Sequence, residues 1–265
     1  MVARIKFTKT GSAKFIGHLD LLRYFQKAFK RAKLDLTYSQ GYNPHSLLTF
    51  ASPLGVGLTS QGEYLDVTLN SSDEPEIMMD KINKVMANNI SVTQFDILPD
   101  DSKNAMAVVG GADYLVSLKD GYEFLSIEDF KERFKDFYNQ DTIKIIKKTK
   151  KSSREIDLKD HIYKYAFTLN DFNSFPNSET NMCVTKSQEQ LYNNGLKIYI
   201  QLASGSVENI KPELVMETFH EYLDIPYNEF AFQVHRLELY ADVGKKKKEN
   251  SGGSRKLVPL GKMYN

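Results

Sequence analysis

Two histidines and one aspartate stand out as residues able to do chemistry: His18 and Asp20 in Phe15-Ile-Gly-His18-Leu-Asp20, and His45 at the end of Ser39-Gln-Gly41-Tyr-Asn43-Pro44-His45. If the two blocks meet, three chemistries are open. His18, Asp20 and His45 could bind a divalent metal, although a His-x-Asp pair with one remote histidine is a sparse ligand set. A neutral histidine could instead act as general base on an RNA 2′-hydroxyl, with lysines stabilising the developing charge. The same residues could also serve only as helix caps and turn formers. All of this depends on whether the segment opening at His18 and the Gly41–His45 turn lie at the same end of one unit.

Two basic groups suggest a second kind of chemistry. Arg23, Lys27 and Lys30, with Arg31 nearby, recur at helical spacing and could follow a phosphate backbone. Lys144, Lys147, Lys148, Lys150, Lys151 and Arg154, with Lys159, outnumber Glu155, Asp157 and Asp160 in the same stretch. In an extended segment Lys144, Lys148 and Lys150 share one side while Ile143 and Ile145 face a core. A solvated helix face and an aggregation-blocking edge strand are the functionless readings of these two groups. The net charge of +1 gives no global attraction to nucleic acid, so the case rests on these local clusters. Tyr and Phe are plentiful, at 15 and 16 residues, but no RNA-recognition motif of the stacking kind is present, and most must be core.

Several classes are excluded. Gly55-Val-Gly57 is followed by Ser60 and has no strand-to-helix context, so it is not a dinucleotide fingerprint. No Walker, Gly-x-Ser-x-Gly or His-Glu-x-x-His motif occurs. The single cysteine, Cys183, rules out an intrachain disulfide and a cysteine-held metal or iron–sulfur site built by this chain alone. No apolar run reaches membrane-spanning length, and the start Met-Val-Ala-Arg-Ile-Lys lacks a signal-peptide core, so a soluble, cytoplasmic protein with no membrane partner is expected.

The elements that must position these residues are legible as periods. Arg4–Lys9 alternates as a strand; from His18 the period becomes helical, with Leu22, Phe25, Phe29 and Ala32 on one face and Asp20 in the first turn. Residues 34–38 and 46–51 read as extended segments around the Gly41–Pro44 turn, 63–69 as a strand, a helix capped by Ser72 or Asp73 follows with Pro75 in its first turn, and 90–98 closes as a strand. A connector, 99–112, ends in Gly110-Gly111. Residues 113–242 repeat the order with insertions: strand 114–118, helix from Ser126 through Tyr138, lysine-rich strand 142–148, extended pieces 158–169 and 196–202, a helix from Pro212 and a last strand 230–240. The expectation is an α+β fold of two tandem ferredoxin-like (split βαβ) units with antiparallel sheets, residues 1–98 and 113–242, and a mobile basic tail, 243–265.

The motif string Phe15-Ile-Gly-His18-Leu-Asp20, Ser39-Gln-Gly41-Tyr-Asn43-Pro44-His45, Phe50-Ala-Ser-Pro53-Leu-Gly55-Val and Gly62-Glu63-Tyr-Leu-Asp66 closely resembles the radical-SAM-linked protein family. Its members are bacterial, of no established function, and stand beside or are fused to radical-SAM proteins. The resemblance is strong over residues 2–70 and continues more weakly to about 240, with Lys151-Ser-Ser-Arg154-Glu-Ile-Asp157-Leu resembling a second block. It implies a radical-SAM partner that carries the iron–sulfur cluster and S-adenosylmethionine, since this chain lacks the Cys-x-x-x-Cys-x-x-Cys motif and binds no cofactor of its own.

Together these readings give a non-catalytic accessory or substrate-presenting protein for a radical-SAM enzyme, binding RNA or a ribosomal component. Ser39, Gly41, Asn43, Pro44 and His45, with His18 and Asp20, would form the specific or partner-docking site. A metal-independent ribonuclease or small hydrolase using His18 or His45, and an interaction scaffold without RNA, are the alternatives. On the first reading, neutralising Lys147, Lys148 and Lys151 should flatten the salt dependence of RNA binding.

Overall fold

The computed structural model describes residues 1–148, 153–175, 184–244 and 255–264. In chain order the elements are β1 (Val2–Lys9), α1 (His18–Arg31), β2 (Leu48–Phe50), β3 (Thr59–Thr68), α2 (Pro75–Asn83), β4 (Ile90–Leu98), α3 (Ala105–Val108) and β5 (Val109–Leu118). They continue with α4 (Ile127–Asn139), β6 (Lys144–Lys148), β7 (Ser153–Asp157), β8 (Ile162–Ala166), α5 (Leu169–Asn173), α6 (Lys186–Glu189), β9 (Lys197–Ala203), α7 (Pro212–Tyr222), β10 (Phe232–Asp242) and β11 (Leu257–Pro259). The fold is mixed α/β with mostly antiparallel strand pairing. It divides into two compact units: Met1–Gly111 with Gly205–Val207 and the described residues from His235 on, and the described residues of 112–204 and 208–234.

In the first unit the strand order is β4-β1-β3, with β2 antiparallel on β3, and the His235 end of β10 parallel to the start of β3. One sheet face is apolar because Ala3, Ile5 and Phe7 alternate with Arg4 and Lys6, and Leu65 and Val67 with Tyr64 and Asp66. Leu21, Phe25 and Phe29 of α1 and Met78 and Ile82 of α2 close that face; the Phe7 and Phe25 rings meet edge-on at 4.7 Å. The N-cap of α2 is Glu74, not Ser72 or Asp73, and Pro75 opens the helix without a side-chain cap. Gly62 is required by packing, since a Cβ there would lie 2.4 Å from the Leu237 carbonyl oxygen.

The connector 99–112 is structured. Ala105 is fully buried in α3, and β5 already begins at Val109, so Gly110-Gly111 lies inside a strand. The glycine pair reads as a break in the sequence, yet a Cβ on Gly110 would stand 2.6 Å from Cβ of Asp242; the small residue permits a close neighbour.

The tail expectation is corrected for 255–264. Leu257–Pro259 pairs with Tyr240–Asp242, Leu260 is buried, and the Gln94 side-chain amide donates to the Gly261 carbonyl at 2.7 Å. Its apolar run Leu257–Leu260 supplies the reason: Leu260 is removed from water and Leu257 and Val258 are half-buried. Residues 245–254, including Lys245–Lys248, lie outside the described residues. The stretch 113–242 is corrected likewise, because His235–Asp242 belongs to the first unit.

The second unit has the strand order β10-β5-β9-β8, to which β10 contributes its first residues, and α4 and α7 pack through Phe130, Phe134, Phe137 and Phe219. The lysine-rich strand does not join this order. β6 pairs with β7 alone as a two-stranded hairpin, with Ile143 buried just before it, Ile145 half-buried and Ile146 exposed beside Lys144. β8 follows a 3-10 turn at Leu158–His161.

Candidate functional site

The motif blocks gather at two ends of the first unit. At the Lys9 end, Gly11–Phe15 forms a 3-10 turn, and the Gly57 amide donates to the Lys14 carbonyl at 2.8 Å, tying the segment before His18 to the Pro53–Gly57 loop. Beneath them lies a buried ionic cluster. The Lys9 ammonium, fully enclosed, donates to the Ile16 carbonyl at 2.8 Å; Glu63 receives the Arg236 guanidinium at 3.0 and 3.1 Å; and Arg236 also donates to the Pro53 carbonyl at 3.2 Å. Burial lowers the Lys9 pKa against the pull of Glu63, and burial raises that of Glu63 against the pull of Arg236. All three are buried, and the two cations are tied to loop carbonyls, those of Ile16 and Pro53. His18 belongs to the same construction: it opens α1 after Gly17 and its ring lies edge-on to Phe50 at 5.2 Å. Asp20 is exposed and pairs with Arg23 at 3.4 Å.

At the other end the Ser39–His45 segment closes on itself. The Ser39 amide donates to the His45 carbonyl at 2.8 Å, the His45 amide donates to Ser39 Oγ at 3.1 Å, and Ser39 Oγ and His45 Nδ1 are 2.9 Å apart. Gly41, at φ +117°, supplies the turn that a side chain would resist, while Tyr42, Asn43 and Pro44 are exposed. Ser39 and His45 have the spacing of a nucleophile and base, but the hydroxyl already accepts the His45 amide, and no carboxylate is bonded to the ring among the described residues.

His18 and His45 therefore do not converge. His18 stands at the Lys9 end of β1, whereas His45 lines a recess of about 400 Å³ with Met1, Val2 and Thr68, at the Val2 end. The seven positions between Val2 and Lys9 span roughly 23 Å in an extended strand. A joint metal site or a shared base pair from these two rings is ruled out by that separation, and no group of three His, Cys, Asp or Glu suited to a metal exists among the described residues. What the recess does bring together is His45 and Asp66, from the second and fourth motif blocks. Asp66 is engaged there: both its oxygens hold Arg4, at 2.8 and 3.1 Å, and one accepts the Ala105 amide at 2.7 Å.

The two basic groups differ in their neighbours. On α1, Arg23, Lys27 and Lys30 are exposed on one face; Arg23 has Asp20 beside it, whereas Lys27 and Lys30 have no acidic partner among the described residues. Arg31 donates to the Val85 carbonyl at 3.0 Å. On the hairpin, Lys144 pairs with Glu155 at 3.4 Å, and Lys147 and Arg154 both bind Glu208. Partial burial alone would push the Glu208 pKa up, but the hydrogen bond and charge of Lys147, with Arg154, hold it below the usual carboxylate range. Glu213, Glu217 and Glu221 line the adjoining recess with Lys144 and Lys147. Lys150 and Lys151 lie outside the described residues, as does the Lys148 side chain.

Sequence reasoning missed Glu208, Lys9, Glu63 and Arg236. The last three lie in strands that carry several other polar residues, so nothing in their local pattern marked them as a buried, paired group. Glu208 left no signal either, sitting in a loop 61 residues from Lys147.

No helix among the described residues is long and apolar enough to cross a membrane. A comparison with curated proteins finds no match. A family model described as "Uncharacterized protein conserved in bacteria (DUF2344)" matches residues 3–212, which covers most of the chain, and the chain belongs to that family.

Proposed function

We propose that this chain is a non-catalytic accessory protein that presents RNA, or an RNA-bearing ribosomal component, to a radical-SAM enzyme in the cytoplasm. The observation that carries the RNA-binding part is the face of α1, where Lys27 and Lys30 stand exposed without carboxylate partners among the described residues, next to Arg23. Unneutralised cations one helical turn apart suit a phosphate backbone, and their contribution is electrostatic and independent of base sequence. The hairpin lysines support this less, because Lys144, Lys147 and Arg154 are matched by Glu155 and Glu208.

The partner enters through the resemblance of the four motif blocks to the radical-SAM-linked family, which implies that the enzyme carries the iron–sulfur cluster and S-adenosylmethionine. The tandem split-βαβ reading belongs to the same proposal; it is supported by the orders β4-β1-β3-β2 in one unit and β10-β5-β9-β8 in the other. The test is binding of a short single-stranded RNA by the full chain across a salt series, followed by capture of a radical-SAM protein with the tagged chain from its native cells. Salt-dependent binding that Lys27→Glu/Lys30→Glu removes supports the RNA assignment; capture without RNA would replace it with a protein substrate.

A further inference from the structure

The face of the first unit's sheet opposite α1 and α2 holds the recess beside His45, and its construction follows from strand period. His45, Leu47 and Thr49 are alternate residues of one extended segment, and Asp66 and Thr68 are alternate residues of β3, so both sets can present side chains to the same side. The segment Leu98–Asn104 closes the recess from above, bringing Pro99, Asp100 and Lys103. At about 400 Å³ the space falls within the roughly 300–1,000 Å³ of small-molecule sites.

The polar groups divide into those already engaged and those that are not. Asp66 is held by Arg4 and the Ala105 amide, so it serves as wall. The Lys103 ammonium, the Asp100 carboxylate and the Thr49 and Thr68 hydroxyls have no hydrogen-bond partner among the described residues, and the His45 ring is engaged through Nδ1, by Ser39 Oγ and the Asn43 carbonyl. One cation, one carboxylate, two hydroxyls and an imidazole edge thus line the recess together with the apolar side chains of Leu47, Leu98 and Pro99.

We infer that this recess binds a nucleoside monophosphate unit. The apolar lining accepts a flat base, Asp100 accepts from ribose hydroxyls, and Lys103 with His45 takes the phosphate, which makes use of each unengaged charge. A bare phosphate would leave the apolar lining and Asp100 without a role. This site is separate from the α1 face, and the unit could be a free mononucleotide or the phosphorylated end of an RNA strand.

The experiment is calorimetric titration of the full chain with AMP, CMP, ribose 5-phosphate and inorganic phosphate up to about 1 mM. A parallel arm uses a short RNA with and without a terminal phosphate. Lys103→Ala should weaken mononucleotide binding about tenfold or more, as loss of a charged hydrogen bond does, and Lys103→Arg should restore most of it. Thr49→Val tests the wall without altering volume. Binding of AMP or CMP that falls in these variants supports a free nucleotide; binding only of the phosphate-ended RNA, with the same losses, supports a strand end. Absence of both, equal binding in the Lys103→Ala protein, or inorganic phosphate binding as tightly as AMP overturns the inference. Lys27→Glu/Lys30→Glu should leave AMP binding unchanged, so failure of the α1 reading and failure of this one are distinguishable.

Discussion

Lys147 is neutralised by Glu208. The carboxylate takes the Lys147 ammonium with one oxygen and the Arg154 guanidinium with the other, and Lys147 also donates to the Asn209 carbonyl at 2.9 Å. Among the described residues of the cluster, Lys144, Lys147 and Arg154 are each matched by a carboxylate. Phosphate attraction depends on net local charge, so the weight of any RNA contact moves to α1, where Lys27 and Lys30 have no such counterpart among the described residues.

Removing Glu208 should reverse this. In Glu208→Gln the hairpin cations lose their partner, and nonspecific RNA affinity should rise at low salt, with a salt slope steeper by about 0.7 for each additional phosphate bound. Filter binding at several salt concentrations reads the change; an unaltered slope would mean that the hairpin does not face RNA at all.

His235 should make the first unit acid-sensitive. Its ring is buried, accepts from or donates to Thr59 Oγ1 at 2.8 Å, and burial lowers its pKa from 6.5 to about 4. A depressed folded-state value means that the unfolded chain binds the proton first. Stability is therefore full above pH 6.5 and is lost as the pH falls from there toward about 4, by about 3 kcal/mol in all. Urea midpoints at pH 7.5 and 4.5 should show the loss in the parent and a smaller loss in His235→Gln.

Gly62→Ala should destabilise the first unit by about 2 kcal/mol or more, because the added methyl meets the Leu237 backbone rather than a side chain that can turn away. Chemical denaturation measures it. A neutral result would show that β3 and β10 can separate freely there.

Leu260→Ala tests the 255–264 segment. With Leu260 buried, the loss should be about 2–4 kcal/mol if the segment is an integral part of the unit, and near zero if it is a loose tail. Thermal and urea unfolding of the full chain give the answer.

Much of the fold was legible because its apolar periods are clean. Phe25, Phe29 and Ala32 mark the buried face of α1 as their spacing predicts, although Leu21 and not the half-buried Leu22 completes it, and Ile5 and Phe7 mark that of β1. The sites were less legible, for reasons that are physical. Alternation assigns Arg4 and Asp66 to a solvent side, yet that face is partly covered by residues 98–105, and the pair is buried. Arg236 lies 173 positions from Glu63 and Glu208 lies 61 from Lys147, so the compensation of each charge is a tertiary fact. His18 and His45 look equivalent as motif residues, but one opens a helix and the other ends a hairpin turn at the far end of β1.

In the proposed function α1, not the hairpin, carries the phosphate contacts. The most direct test is the salt dependence of single-stranded RNA binding by the parent chain, by Lys27→Glu/Lys30→Glu and by Lys147→Ala/Arg154→Ala. The α1 variant should flatten the slope by about 0.7 for each phosphate no longer engaged, while the hairpin variant should leave it nearly unchanged. A flattened slope in the hairpin variant with the α1 variant unaffected, or no RNA binding by the parent chain at low salt, would contradict this assignment.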